Sequence, residues 1–480
     1  MLLIALGRSA QFFLLFATLK VATTLLSPAE MARVFLVSSI VAFYAMLLLN
    51  PVGMFMNRRL HAWNVTGKVQ RYYSYFWLYL LVVCGIAVVS SSLVADAGWI
   101  GIHTSKDWLV LLVGGSLLFS TVNQVVIPGL NMLGHRGWFI ALTLATAAIG
   151  LAAAVLLVNE FTASAEPWIC GLLIGQLVAA VVGWKVFFGK LTVKDSPQKQ
   201  TKAHVEVLFG FAWPISIAVG LGWIQSQGYR FMMESTLGLT ELGLFAAGYG
   251  ISAGIISAFE SVFATYFQPM FYKKISNGDV NEQGGAWSEY AGAIFPSLIL
   301  IGLLVIAAAP EFTRVMLGPE FQSSSQFIVW GAIAELARVA SGVYGMVAHA
   351  RMKTSLLLLP GLIGAPLAIF LIWWLMPVLG STGVGIALVL SSTTSFILTI
   401  VSTRNEFEVK LPHKTFAMGL IMGCGLLMLA EIVHWQTSEN AGLLATMIRL
   451  SILGCAFLSF QYVLLRPLLY GHRIHEESSK

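Results

Sequence analysis

The sequence predicts an all-α polytopic membrane protein of about fourteen transmembrane helices, arranged as two pseudo-symmetric six-helix bundles with two additional C-terminal helices. Three observations lead there. Of the 480 residues, 58% are hydrophobic and 10% charged, with a mean hydropathy of +0.82, whereas charged residues make up about a quarter of ordinary soluble domains. Apolar runs of about 20 residues, the length that crosses the hydrocarbon core as a helix, recur from end to end. Lysine and arginine gather in alternate loops between those runs.

In chain order the spans fall at 3–26, 33–56, 73–94, 108–133, 138–158, 168–189, 207–236, 242–268, 288–309, 326–350, 354–376, 383–402, 415–435 and 442–465. The first is too long for a cleavable signal peptide and carries Arg8 and Lys20. Arg58, Arg59, Lys68 and Arg71 follow the second span, five lysines from Lys185 to Lys202 follow the sixth, and Arg404, Lys410 and Lys414 follow the twelfth. About 20 of the 28 Lys and Arg lie on that side. The opposite loops hold Arg33, Lys106 and Arg314 beside Asp96, Asp107, Glu160, Glu166, Glu311 and Glu320. The positive-inside rule then places both termini in the cytoplasm. Basic residues scattered through short loops do not form a nucleic-acid surface. Cys84, Cys170, Cys424 and Cys455 lie in apolar segments without metal-ligand spacing and read as small core residues, so no metal site is expected.

The longest cytoplasmic loop, 190–206, is polar, charged and contains Pro197, and it reads as a linker. It separates a six-helix bundle at 1–189 from a second at 207–402, followed by two additional helices at 415–465 and a tail at 466–480. Shifting the chain by 211 positions lays Leu26-Ser-Pro-Ala-Glu30 on Leu237-Gly-Leu-Thr-Glu241, both at the tight outer turn of a helical hairpin. Spans 2 to 6 then fall near spans 8 to 12, a parallel repeat about an axis along the membrane normal. Under this shift Arg230 falls opposite Leu19, beside Lys20, and two cations converging on one cleft make a site for an anion.

Charges inside spans are expensive and generally face a cavity or a partner. Five cations are so placed: Arg8, Lys20, Arg230, Arg338 and Arg449. Arg8 reads equally as a snorkelling end residue and as a functional one, and Arg449 reads foremost as structural. Arg338 follows Glu335 by three positions, so an internal ion pair and a gating or substrate role are both open. Glu260 is a lone carboxylate that either takes up a proton during transport or pairs with a neighbouring helix. Trp223, Gln225, Gln227, Tyr229 and Arg230 form the densest polar and aromatic cluster within a span. Amides and aromatic faces are what a sugar site uses, although Asn and Gln also join helices. No phosphate-binding loop, CxxC pair or catalytic constellation is present in the sequence, so neither a cofactor nor an enzyme is expected.

Tyr229-Arg230-Phe231, then Leu237-Gly238, Glu241-Leu-Gly243 and Phe245-Ala-Ala-Gly-Tyr249, resemble the polysaccharide flippases of the Wzx type, within the superfamily that also holds the MATE exporters and the lipid II flippase MurJ. Leu25-Leu-Ser-Pro-Ala-Glu30 is similar to the family's divergent first-repeat version, and with the 12+2 layout the resemblance covers most of the chain. Many relatives carry Asp immediately before this arginine, where this chain has Tyr229. The resemblance implies flipping of an undecaprenyl-diphosphate-linked oligosaccharide for O-antigen, capsule or exopolysaccharide assembly. Its partners would be the lipid-linked oligosaccharide, membrane lipids and polysaccharide-assembly proteins, with no nucleic acid. Lys20, Arg230, Arg8 and Arg338 would attract the diphosphate; Gln225, Gln227 and Tyr229 would meet the glycan; Glu260 and Glu335 are candidates for coupling. A cation-coupled MATE-like drug exporter and a membrane glycan polymerase or ligase are the alternatives. The first wants membrane-embedded carboxylates able to bind a cation, and the absence of any Asp from a span counts against it; the second typically wants a large outer loop with catalytic Arg or His, and the outer loops here are short.

Overall fold

A computed structural model describes residues 2–96, 106–191, 203–275, 280–351, 353–406, 413–435 and 442–478. Most of the 190–206 linker, the side chain of Arg8 and the side chains beyond Arg466 lie outside the described residues. Among the described residues every regular element is helical, and 11 helices are long and apolar enough to cross a membrane. The chain divides by packing into two compact units, Met1–Gly243 and Leu244–Lys480.

In the first unit, α1 (Leu2–Leu25) leads through a two-residue turn into α2 (Pro28–Tyr44). Ser27 caps α2 by accepting the Glu30 N–H at 3.4 Å, and Pro28 occupies the first turn, where its missing N–H costs nothing. Glu30 does two further things: it pairs with Arg33 at 2.8 Å and accepts the Ala165 N–H at 2.9 Å. The second contact joins the hairpin turn to the start of α8 (Ala165–Gly189), where a carboxylate also meets the positive end of the helix dipole.

α2 runs through a π-helical turn, Ala45–Leu49, into α3 (Asn50–Val65). The turn precedes Pro51, which has no N–H for the ladder and would clash with the carbonyl four residues back. The Tyr79 hydroxyl, on α4 (Val69–Asp96), donates to the Leu48 carbonyl at 2.9 Å within this distorted stretch. The helix continues past the expected end of the second span, because Leu60 and Trp63, three apart, bury one face while Arg58 and Arg59 stay exposed. A short helix α5 (Lys106–Leu109), a second π-helical turn, Val110–Gly115, and α6 (Ser116–Met132) make the fourth span. α7 (Arg136–Glu160) lies close on α8, where a β-carbon on Gly171 would overlap the backbone of Ala154. The seventh span is α9 (Ala203–Gln227), broken at Gly228 and continued as α10 (Tyr229–Leu237).

The turn after α10 depends on glycine twice. Gly238 sits at φ 85°, a left-handed conformation that side chains with a β-carbon resist. On the following helix, α11 (Leu239–Ile275), a β-carbon on Gly243 would overlap the carbonyl oxygen of Pro28. The two motifs aligned by the repeat therefore touch at backbone level.

The second unit comprises most of α11, α12 (Val280–Ala307), the short α13 (Ala309–Met316), α14 (Ser325–Ala350), α15 (Leu358–Thr403), α16 (His413–Trp435) and α17 (Leu443–Ser478). α15 is two helices meeting at Gly380, whose φ of 59° and ψ of −142° lie outside helical space, as the two expected spans over 354–402 require. Trp287 Nε1 donates to the Val343 carbonyl at 3.1 Å, tying α12 to α14, and Gln461 Nε2 donates to Ser297 Oγ at 2.7 Å, tying α17 to α12. Arg449 on α17 meets Glu311 on α13 at 3.4 Å with the two side chains 2% and 7% exposed. This supports the structural reading of Arg449 and gives Glu311, expected in a loop, a helical setting and a partner.

Candidate functional site

In the first unit the candidate residues assemble around α2. Ser39, one position beyond the exposed Ser38, is buried and faces the seventh span. Its hydroxyl donates to the Phe35 carbonyl at 2.8 Å, the ordinary habit of a serine inside a helix, and so offers its lone pairs outward. Arg230 Nη1 donates to that oxygen at 2.8 Å and to the Phe35 carbonyl at 3.2 Å. The guanidinium lies 5.2 Å from the Phe35 ring centroid, and its Nε donates to the Tyr229 hydroxyl at 3.3 Å. Trp223 Nε1 donates to the Ser39 carbonyl at 3.1 Å, and Gln227 Oε1 lies 3.4 Å from the Ser39 hydroxyl.

The arrangement holds Arg230 by neutral groups alone. Among the described residues it makes no ion pair, neither with Glu234 four positions on nor with any other carboxylate, and Nη2 has no protein acceptor. Its Nε and Nη1 donors are engaged, and the two N–H groups of Nη2 remain to meet a phosphate or carboxylate oxygen by charge-assisted hydrogen bonds. Tyr229 is fully buried, and its hydroxyl accepts from Arg230. Gln225 is half-buried on α9. Lys20 is half-buried on α1, and no hydrogen bond joins it to Arg230.

In the second unit α11 and α14 build a different cluster. Arg338 Nε donates to Glu335 at 2.6 Å, and its Nη2 donates to Glu260 at 2.9 Å and to Ser257 Oγ at 3.4 Å. The Tyr249 hydroxyl donates to the other oxygen of Glu335 at 3.0 Å. Tyr249, Ser257 and Glu260 recur at helical spacing on α11, while Glu335 and Arg338 are one turn apart on α14. Both pairings open at the sequence level are thus realised at once: Arg338 has its own-helix partner, and Glu260 has a neighbouring helix's cation. Two carboxylates against one guanidinium leave this cluster formally negative, where the Arg230 cluster is positive. Glu335 is 6% exposed at its side chain, and Glu260 and Arg338 are 36% and 42% exposed. Glu260 and Arg338 are therefore open to a third party and Glu335 is not. Ser39 and Phe35, which position Arg230, carry no signal in the sequence, since a serine within an apolar run is ordinary.

No family model matches the chain, and no curated protein does. Solved structures do. The inward closed lipid II flippase MurJ superposes with a TM-score of 0.57 at 15% identity, covering 98% of this chain and 99% of the other. The fold is shared with MurJ. It is shared equally with an inward-facing multidrug resistance MATE family transporter of the MOP superfamily, at a TM-score of 0.60, 13% identity and coverage of 86% and 95%. A MATE protein in its bent conformation superposes at 0.53, with 12% identity and coverage of 88% and 94%. The chain is thus a multi-pass membrane protein with the fold these transporters share.

Proposed function

We propose that this protein is a flippase that moves an undecaprenyl-diphosphate-linked oligosaccharide from the cytoplasmic to the periplasmic leaflet of the inner membrane, by alternating access, for O-antigen, capsule or exopolysaccharide assembly. One observation carries the reading: a half-buried arginine held by neutral groups, with no carboxylate partner among the described residues and its Nη2 donors open. A diphosphate and a glycan cannot cross about 30 Å of hydrocarbon unshielded, and a fixed guanidinium lowers the cost for the most charged part of that cargo. Lys20 adds a second positive charge in α1, and Arg8 a third. The Glu260–Arg338–Glu335 cluster is the place where a coupling proton or cation exchanges with an ion pair.

The test is reconstitution of the full chain in vesicles with a fluorescent undecaprenyl-diphosphate-linked oligosaccharide and measurement of its transfer between leaflets. Transfer above protein-free vesicles is expected, and a rate equal to theirs overturns the proposal. A MATE-like exporter coupled through the Glu260 and Glu335 carboxylates is the second reading. Export of cationic dyes by the same vesicles, without transfer of the lipid-linked glycan, selects it.

A further inference from the structure

The first unit contains a half-open cavity of about 290 Å³ that lies apart from the groups holding Arg230 and is bordered by α2 with its continuation into α3, by α6 and by α8. Ser38, Asn50, Ser116, Ser120, Gln124 and Gln176 reach it among valine, alanine, leucine, isoleucine and methionine side chains, and among the described residues no ionisable one lines it. Its size is near the lower end of small-molecule pockets, about 300 Å³, which is room for one ring-sized group rather than an extended chain.

Two features separate this hollow from a packing defect. The first is a missing donor. The Gln176 side-chain oxygen is buried without a hydrogen-bond partner, although its backbone carbonyl receives the Asn123 amide at 2.9 Å. Buried polar atoms are nearly always satisfied, and this acceptor, shut off from solvent beside the cavity, gains a donor when the Gln176 amide turns into it. The second feature is the pair of π-helical turns, Ala45–Leu49 and Val110–Gly115, which flank the cavity on two of its three walls. Each accommodates an extra residue and so turns those that follow, Asn50 in one helix and Ser116 and Ser120 in the other, by about 100° around the axis. Apolar walls interrupted by hydroxyls and amides, without charge, match the alternating C–H faces and O–H edges of a pyranose.

We infer that this cavity is a subsite for a single neutral sugar ring, set on the same helix as the Arg230 site through the adjacent residues Ser38 and Ser39. The inference rests on the glycan-carrying reading proposed above. It goes further in dividing the recognition: charge is met at Arg230, and a neutral ring is met between α2, α6 and α8.

Saturation-transfer NMR on the detergent-purified full chain tests it, with glucose, galactose, rhamnose and N-acetylglucosamine as neutral probes and glucuronate as the charged comparator. Saturation of at least one neutral ring, exceeding that of glucuronate, is expected. A loss of fivefold or more is expected in Gln124→Ala, a substitution at an exposed position, and in Gln176→Leu. Silence from every neutral probe, or undiminished signals in both variants, overturns the subsite. Vesicle assays separate the two proposals. Sugar binding without transfer of the lipid-linked oligosaccharide removes the flippase reading and leaves the subsite. Transfer at the unaltered rate by the Gln124→Ala, Gln176→Leu double variant removes the subsite and leaves the flippase reading.

Discussion

Arg230 is anchored to Ser39, its Nη1 donating to the Ser39 hydroxyl at 2.8 Å across 191 positions of sequence. The bond fixes a charged side chain of the seventh span against the second, using an oxygen that is itself oriented by its own helix. Arg230→Ala removes the charge and is expected to slow glycolipid transfer about tenfold or more, the range of one charge-assisted hydrogen bond at roughly 1.5–3 kcal/mol. Ser39→Ala keeps the charge and loses only the anchor, so a smaller loss is expected, about fivefold for roughly 1 kcal/mol. Initial transfer rates at matched protein levels rank the three proteins. Equal rates for Arg230→Ala and the unaltered protein exclude Arg230 from the path.

Arg338 stands between Glu335 and Glu260, and its removal leaves a nearly buried carboxylate without its cation. Arg338→Ala is expected to lower stability by about 1–3 kcal/mol, less than the roughly 3–5 kcal/mol of a fully buried pair because Arg338 is part-exposed. Adding Glu335→Gln should restore much of the loss, since the stranded charge is gone. Thermal unfolding of the single and double variants in one detergent shows whether the second substitution rescues the first.

Gly243 lies against the Pro28 carbonyl with no space for a β-carbon, whereas nothing lies within 4 Å of a β-carbon placed on Gly250. Gly243→Ala forces the two hairpin turns apart at a cost of about 1–3 kcal/mol. Gly250→Ala, a helix-favouring change at an open position, should be neutral or stabilising by about 0.5–1 kcal/mol. The folded fraction recovered on size-exclusion chromatography is expected to fall for the first and hold for the second. Similar recovery of both would show that the helices can part without cost.

Glu406, beyond the end of α15, accepts from Lys353 at 2.9 Å and lies 3.4 Å from Arg351. The hydrogen bond from Lys353 and the two positive charges outweigh desolvation and hold its carboxyl below the ordinary carboxylate range. A depressed pKa in the folded state contributes stability above the unfolded value and loses it as pH falls through the folded one. The clasp between the α14–α15 connection and the end of α15 is therefore expected to hold at neutral pH and to loosen only below the usual carboxylate range. Hydrogen exchange of residues 353–357, corrected for its intrinsic pH dependence, should rise there in the unaltered protein. Glu406→Gln should show the higher exchange at all pH values; a Gln variant as protected as the parent at neutral pH would dismiss the clasp.

The residues themselves determined the all-helical membrane class, because runs of apolar side chains about 20 long have one low-cost solution in lipid. They also located the turn at 237–241 and the boundary between the spans 354–376 and 383–402, where Gly238 and Gly380 adopt positive φ. Arg230, Arg338, Glu260 and Glu335 were visible as candidates because any charge in such a run is conspicuous. Their partners were not. A pairing three residues apart, Glu335 with Arg338, can be read from helical periodicity, whereas Arg230 with Ser39 and Arg338 with Glu260 join different helices. Which face of one helix meets which face of another depends on side-chain shape summed over the whole contact, with close approaches such as Gly243 on Pro28 setting the distance. Tertiary structure alone therefore decided that Arg230 is held by neutral groups, that Arg338 lies between two carboxylates, and that six scattered Ser, Asn and Gln side chains surround one uncharged cavity.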